Sequence, residues 1–174
     1  MNFLSNLKLG RRLALGFGLV LALTGALAFS AYVGLSDTHD DMATVTGNTV
    51  PSLQVAAELK ALALNLRRYE YNHLISKDEA AMKEMDGLIA KTHTDFKTTF
   101  DAYEKLVSND TDRALWQAAH ADSDRYMAQW KEIEPLSRQN TEESIAKAEA
   151  LMTGESRKAF TSLVDNLDKL WKFN

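Results

Sequence analysis

The chain has 174 residues, no cysteine, two prolines and a formal net charge of −4. Its length suits one ordinary domain, and the lack of cysteine excludes disulfides, thiolate nucleophiles and cysteine-ligated metals. Few helix breakers favour a helical protein, and no basic tract resembles a nucleic-acid-binding surface, so no nucleic acid is expected as a partner.

The first predicted element is a membrane helix over residues 13–35, LALGFGLVLALTGALAFSAYVGL, which contain no charge. A bilayer core of about 30 Å needs roughly 20 apolar residues in a helix. A cleaved signal peptide is the alternative, but its apolar part is usually about 7–15 residues long. The basic leader, residues 1–12, precedes the segment and Asp37 follows it. This charge pattern predicts a cytoplasmic N-terminus, a span of the inner membrane and a periplasmic remainder.

One face of the predicted membrane helix carries a small residue at every fourth position: Ala14, Gly18, Ala22, Ala26, Ser30 and Gly34. That spacing allows two helices to approach closely in lipid. Alanine and glycine are also frequent in membrane helices in general, which is the alternative explanation. The pattern favours self-association of this helix.

Residues 36–174 are predicted to form a periplasmic domain of four helices. The apolar periodicity places the first over about residues 36–75, the second over about 79–107 and the third over about 112–137. The fourth is expected to begin within RQNTEE, residues 138–143.

Residues with short polar side chains are expected to cap these helices. Ser76 or Asp78 can cap the second helix. Asn140 is followed three residues later by Glu143, which resembles a capping box at the start of the fourth helix.

The predicted fold class is all-α: an N-terminal transmembrane helix that continues into an antiparallel up-down-up-down four-helix bundle. Short connections between long helices make neighbours antiparallel. Pro51 is expected to kink the first bundle helix or to mark its start, and Pro135 to end the third helix early.

The first bundle helix carries two apolar stripes. One is expected to face the core: Val55, Leu59, Leu62, Leu66, Tyr69 and His73. The other lies roughly opposite: Leu53, Ala57, Leu64, Tyr71 and Ile75. Because an isolated bundle needs only the first stripe, the second predicts a partner-binding surface and, with the small residues of the membrane helix, a parallel homodimer. His73 is expected to be a hydrogen-bonded core residue.

Arg67 and Arg68 are predicted to lie on the two flanks of the second stripe. In a two-fold dimer, Arg67 of one copy would face the region near Arg68 of the other. Guanidinium groups that converge in this way repel each other unless an anion lies between them, and arginine binds carboxylates by paired hydrogen bonds. The alternative is a solvated flank on which Arg67 pairs with Glu70, an interaction of about 0.2–0.5 kcal/mol.

The start of the chain, MNFLSNLKLGRRLALGFGLVLAL, resembles the amino terminus of bacterial methyl-accepting chemotaxis proteins. In that family a short basic leader similar to LKIGxRL precedes the first membrane helix. NTVPSL (residues 48–53), LRRYEYNHL (residues 66–74) and LSRQ (residues 136–139) also resemble parts of the family's four-helix-bundle sensor domain. The resemblance covers essentially the whole chain, and the leader is its most specific part.

The resemblance implies a chemoreceptor sensor module that binds a small carboxylate or an amino acid and transmits a transmembrane signal for chemotaxis. It implies ligand-binding roles for Arg67, Arg68 and Tyr71 on the first helix and for Thr141 at the start of the fourth. No cofactor is implied. A complete receptor continues into a second membrane helix and a cytoplasmic coiled coil, so the chain is expected to be the front piece of a longer receptor or a truncated relative.

Arg125 and Tyr126 on the third helix are further candidates, for a pocket inside the bundle. An internal site and a site at the dimer interface therefore both remain open. Because no phosphate loop, dinucleotide fingerprint, nucleophile elbow or HExxH motif occurs, neither an enzyme nor a metal site is expected. Two other functions remain open: a membrane-anchored structural or interaction bundle without a small ligand, and the input domain of a sensor histidine kinase or cyclase.

Overall fold

The computed structural model describes residues 8–174, and within that range it contains helices and turns but no strand. Residues 1–7, most of the predicted leader, lie outside the described residues. The elements in chain order are α1 (Leu9–Thr44), a π-helical turn (Val45–Thr49), α2 (Val50–Ile75), α3 (Glu79–Glu104), α4 (Asp110–Gln139), α5 (Glu142–Thr153) and α6 (Glu155–Phe173). The predicted all-α class is confirmed.

The first of two compact units ends at Thr46, and the second is Gly47–Asn174. α1, in the first unit, has no buried residue, and large apolar side chains such as Phe17 and Leu21 are exposed. In the described part of the chain, the helical run Leu9–Ile75 is the one long and apolar enough to cross a membrane. Its most apolar window has a mean hydropathy of 2.1, which suits contact with lipid.

The second unit is a four-helix bundle in which α5 and α6 together form the fourth member. α2 packs against α3 and α6, and α4 packs against α5 and α6. The largest fully buried side chains are shared among all four members: Leu59, Leu66, Phe96, Phe100, Tyr103, Tyr126, Ile133, Met152, Leu163, Leu167 and Leu170. The predicted bundle is therefore confirmed.

The two stripes predicted on α2 differ in burial. Leu59, Leu66 and His73 of the first stripe are fully buried. In the second stripe Leu64 is 50% exposed and Ile75 is 70% exposed. Apolar residues at three- and four-residue spacing therefore identified the core face of this helix correctly.

The predicted helix cap is confirmed at α3 and is wrong at α5. The Asp78 side chain caps α3 by accepting a hydrogen bond from the Ala80 amide at 3.2 Å. At α5 the predicted cap was wrong, because Thr141 and Ser144 form the reciprocal capping pair. Asn140 instead ends α4 with φ 48°, a left-handed conformation that asparagine tolerates better than most residues.

Replacing the α3 cap by alanine is expected to lower the free energy of unfolding by about 1 kcal/mol, because the Ala80 amide loses its acceptor. Urea unfolding of Asp78→Ala, followed by tryptophan fluorescence, measures this loss. Glu84→Ala, an exposed position on the same helix, is the control and should change stability by less than about 0.5 kcal/mol. Equal losses in the two variants would contradict the assigned cap.

The prediction that Pro135 ends the third helix early is wrong. Pro51 lies in the first turn of α2, directly after the π-helical turn Val45–Thr49, within one continuous helical run. Pro135 lies inside α4, which continues to Gln139. The last turn is held in place by tertiary contacts: Ser137 is buried against His73, and Arg138 bonds Asp86 of α3 at 2.5 Å. These contacts offset the hydrogen bond that the proline removes.

The fourth member of the bundle is broken at Gly154, which the sequence pattern did not predict. α5 ends one residue before this glycine and α6 begins one residue after it. The backbone there has φ −93° and ψ −105°, and a Cβ atom would lie 2.8 Å from the Ala150 carbonyl oxygen. Only glycine fits this conformation without a shift of the backbone.

Candidate ligand-sensing site

Arg67 lies inside the bundle at the break between α5 and α6. Its side chain starts on α2 and is only 8% exposed as a residue. Nη2 donates to the Met152 carbonyl oxygen at 2.6 Å, and Nη1 donates to the Ser156 hydroxyl at 2.6 Å. Because these acceptors lie on either side of Gly154, one guanidinium group ties α2 to both halves of the broken helix.

Three aromatic rings surround the same guanidinium. Its Cζ lies 4.7 Å from the ring centre of Tyr71, 5.4 Å from that of Phe160 and 5.9 Å from that of Tyr126. The Tyr71 hydroxyl also accepts a hydrogen bond from Nη2 at 3.3 Å. Cation–π contacts and neutral acceptors thus replace the water that Arg67 gives up on burial.

Glu70, one turn along α2, is the acid nearest to Arg67. It is 1% exposed, and its Oε2 accepts a hydrogen bond from the Tyr126 hydroxyl of α4. The Arg67 Nη1 is 3.9 Å from Oε2, and no donor among the described residues contacts Oε1. Burial raises the pKa of Glu70 to about 7, and the Tyr126 hydrogen bond and the Arg67 charge only partly oppose that rise.

The structure thus brings three of the predicted site residues together: Arg67, Tyr71 and Tyr126. The position of Arg67 differs from the expectation that it flanks an exposed stripe. It immediately follows the fully buried Leu66, so its side chain turns into the bundle where α5 and α6 offer acceptors. The alternative prediction, a solvated ion pair between Arg67 and Glu70, is also wrong, because both side chains are buried.

Arg68 points out of the bundle. It is exposed, and its guanidinium lies 5.0 Å from the ring centre of Tyr69 and within 3.3 Å of the Tyr69 hydroxyl. At 100° per residue it shares one face of α2 with Leu64, Tyr71 and Ile75. Of the two adjacent arginines, Arg67 is therefore buried in the bundle and Arg68 is exposed to solvent.

Arg125 lies apart from these residues. It is exposed on α4, pairs with Asp122 and lines a cleft of about 400 Å³ together with Glu155 and Lys158 of α6. Asp122 also accepts hydrogen bonds from two side chains of α6, so this cluster joins α4 to α6.

Thr141 lines a different cleft, of about 540 Å³, at the turn between α4 and α5. Lys77, Asn140 and Glu149 are among its other lining residues. Its hydroxyl is already bonded as the cap of α5. Thr141 therefore belongs to neither the Arg67 cluster nor the exposed face of α2.

Sequence reasoning missed the other partners of Arg67: Met152, Ser156 and Phe160. Their common feature is that they lie within a few residues of Gly154. A lone glycine within a helical pattern was the available signal, but it does not reveal which side chain fills the space beside the break.

His73 is a hydrogen-bonded core residue, as predicted. Its Nδ1 lies 2.8 Å from the Ser137 hydroxyl, and burial lowers its pKa. Asp86 of α3 lies 3.3 Å from its Nε2. In residues 8–174 no group of three or more histidine, aspartate and glutamate side chains is placed to hold a metal ion.

The chain was compared with known proteins. Residues 6–174 match the model of a family described as a four helix bundle sensory module for signal transduction. Neither the comparison with curated proteins nor that with solved structures gave a match. The family match confirms the resemblance, and its range includes the predicted membrane helix and the whole bundle. The chain therefore belongs to the family of four-helix-bundle sensory modules for signal transduction.

Proposed function

We propose that the chain is the sensor module of a bacterial chemoreceptor, which works as a homodimer and binds a small carboxylate or amino acid outside the cytoplasmic membrane. The family supplies the sensory role. The apolar helix α1 supports a membrane anchor. The module binds its ligand without converting it, and its output is a signal for chemotaxis.

The exposed face of α2 is the observation that carries this proposal. Leu64, Tyr71 and Ile75 are 50%, 37% and 70% exposed, with Arg68 between them. A face of this kind is apolar enough to be covered by a second copy. In a two-fold dimer across it, the two Arg68 side chains approach each other, and a carboxylate between them would offset their repulsion.

Arg68 is a better ligand anchor than Arg67 in this arrangement. The Arg67 guanidinium is already bonded to Met152, Ser156 and Tyr71 inside its own chain. The donors of Arg68 face solvent apart from one contact with Tyr69. A carboxylate can therefore reach Arg68 without breaking an existing network, whereas at Arg67 it would have to displace acceptors that belong to three residues.

The signal requires that the ligand prefer one arrangement of the dimer. A ligand shifts an equilibrium only by its difference in affinity for the two states. A carboxylate held by both Arg68 side chains favours the arrangement in which the two α2 helices lie closest. The same two helices follow α1 in sequence, and its small-residue face supports a matching contact in the membrane.

Binding of a panel of dicarboxylic and amino acids to the full chain in lipid nanodiscs tests the ligand site. A ligand at about 100 times its Kd should stabilise the bundle by about 2.7 kcal/mol, seen as a thermal shift. Arg68→Ala should abolish the shift. Arg113→Ala, an exposed arginine of α4, should retain it. Equal responses in the two variants would contradict a site at Arg68.

Disulfide cross-linking tests the dimer, because the chain has no cysteine of its own. Leu64→Cys should cross-link two copies in the membrane, whereas Glu84→Cys on α3 should not. A cross-linked dimer that responds to no acid would favour the alternative function, an anchored interaction bundle without a small ligand. A monomer that also shows no ligand response would contradict the proposal as a whole.

A further inference from the structure

Glu70 occupies a position where a negative charge is poorly stabilised. Its carboxyl group is almost fully buried and receives one hydrogen bond, from the Tyr126 hydroxyl, while Oε1 has no donor among the described residues. A buried carboxylate normally needs two or three donors or a close cation to stay ionised. The nearest cationic atom, on Arg67, is 3.9 Å away.

The hydrogen bonds of Arg67 explain why that ion pair is long. Its guanidinium donates to the Met152 carbonyl, just before Gly154, and to the Ser156 hydroxyl, just after it. All the acceptors that it contacts at hydrogen-bond distance are neutral. Arg67 therefore has two competing sets of partners: the break between α5 and α6, which it contacts here, and the Glu70 carboxylate.

We propose that Glu70 is a proton-binding site through which this module senses pH. When Glu70 carries a proton, Arg67 stays bonded to Met152 and Ser156 and holds the α5–α6 break. When the proton leaves to solvent, the carboxylate draws the guanidinium towards itself and away from those acceptors, which frees α6 to move relative to α5. The proton is thus an input separate from the carboxylate site proposed at Arg68.

The surroundings of Glu70 allow this change near neutral pH. The pKa of Glu70 is raised to about 7, chiefly by burial, so the group gains and loses its proton in the range that cells meet. On α2 the charge that acts on it is Arg67, and on α4 the titratable group is Tyr126. α5 and α6 face the pair with the neutral Met152 and Ser156.

A separate charged cluster joins three helices. Asp86 of α3 contacts His73 of α2 and Arg138 of α4. Burial lowers the pKa of His73 from its usual range, whereas burial raises the pKa of Glu70. Substitution of one group or the other separates the two titrations.

Infrared difference spectroscopy of the full chain in nanodiscs tests proton binding directly. A protonated-carboxyl band should disappear with a midpoint near pH 7 as the pH is raised. Glu70→Gln, which has the same shape as the protonated acid, should lose that band. Glu84→Gln should keep it. Absence of the band from the unaltered chain would overturn the proposal without reliance on any variant.

Spin labels report the mechanical consequence, again because no native cysteine interferes. Labels at the exposed positions Lys147 on α5 and Lys169 on α6 span the break. Their distance distribution should change over the same pH range in the parent chain and stay in its low-pH form in Glu70→Gln. A pH-dependent change that persists in Glu70→Gln would overturn the switch. Loss of carboxylate binding in Arg68→Ala would leave both results unaltered, so the two proposals can fail separately.

Discussion

Replacing Arg67 by alanine is expected to lower the free energy of unfolding of the bundle by about 3–5 kcal/mol. The substitution removes a buried cation and leaves the Met152 carbonyl and the Ser156 hydroxyl without their donor. Because these acceptors are buried, water does not replace the lost hydrogen bonds. It also opens a cavity beside the ring of Phe160. Urea unfolding followed by the fluorescence of the three tryptophans, all of which lie in the bundle, measures the loss.

The adjacent arginine provides the matched control. Arg68 is exposed, and its hydrogen bond within residues 8–174 is to the Tyr69 hydroxyl. Arg68→Ala should therefore change the free energy of unfolding by less than about 0.5 kcal/mol. The two substitutions remove the same residue type from adjacent positions of the same helix. They differ in whether the arginine that is removed is buried in the bundle or exposed to solvent. Similar losses in the two variants would contradict the buried placement of Arg67.

Gly154→Ala is expected to destabilise the bundle by about 1–3 kcal/mol, as overpacked substitutions do. The new Cβ would lie 2.8 Å from the Ala150 carbonyl oxygen, a backbone atom that cannot move unless α5 changes its course. The same shift would displace the Met152 carbonyl from Arg67. Thermal and urea unfolding measure the effect on stability.

A second glycine separates this steric effect from helix propensity. Gly87 lies on the exposed side of α3, and a Cβ there would meet nothing within 4 Å. Gly87→Ala should therefore stabilise the bundle by about 0.5–1 kcal/mol, because alanine loses less backbone entropy in a helix. If Gly154→Ala also proved stabilising, α5 and α6 would have to be capable of forming one continuous helix.

The break at Gly154 divides the fourth bundle member into two helices, both of which contact Arg67 of α2. α6 ends at the same end of the bundle at which α2 begins. Asn174 donates to the Tyr103 hydroxyl in the last turn of α3, and Asn48 donates to the Leu106 carbonyl oxygen just after that helix. Arg67 is the side chain that joins these two helices at the level of the break.

The sequence by itself determined the helical class, the four-member bundle and the core face of α2. These features depend on local spacing: apolar residues three and four apart define a helix face, and a short polar side chain before a helix defines its cap. Leu59, Leu66, His73 and Asp78 were placed correctly on those grounds. The apolar run of residues 13–35 was likewise recognised as a candidate membrane helix from its length and composition alone.

Only the tertiary structure decided which arginine enters the bundle and what Glu70 contacts. Arg67 and Arg68 are identical in charge and adjacent in sequence, so helical spacing separates them by 100° but does not say which one finds acceptors. The acceptors of Arg67 come from Met152 and Ser156, 85 and 89 residues away. They become available because Gly154 breaks the helix beside α2. Such a contact exists only after distant helices have packed, and local periodicity carries no information about it.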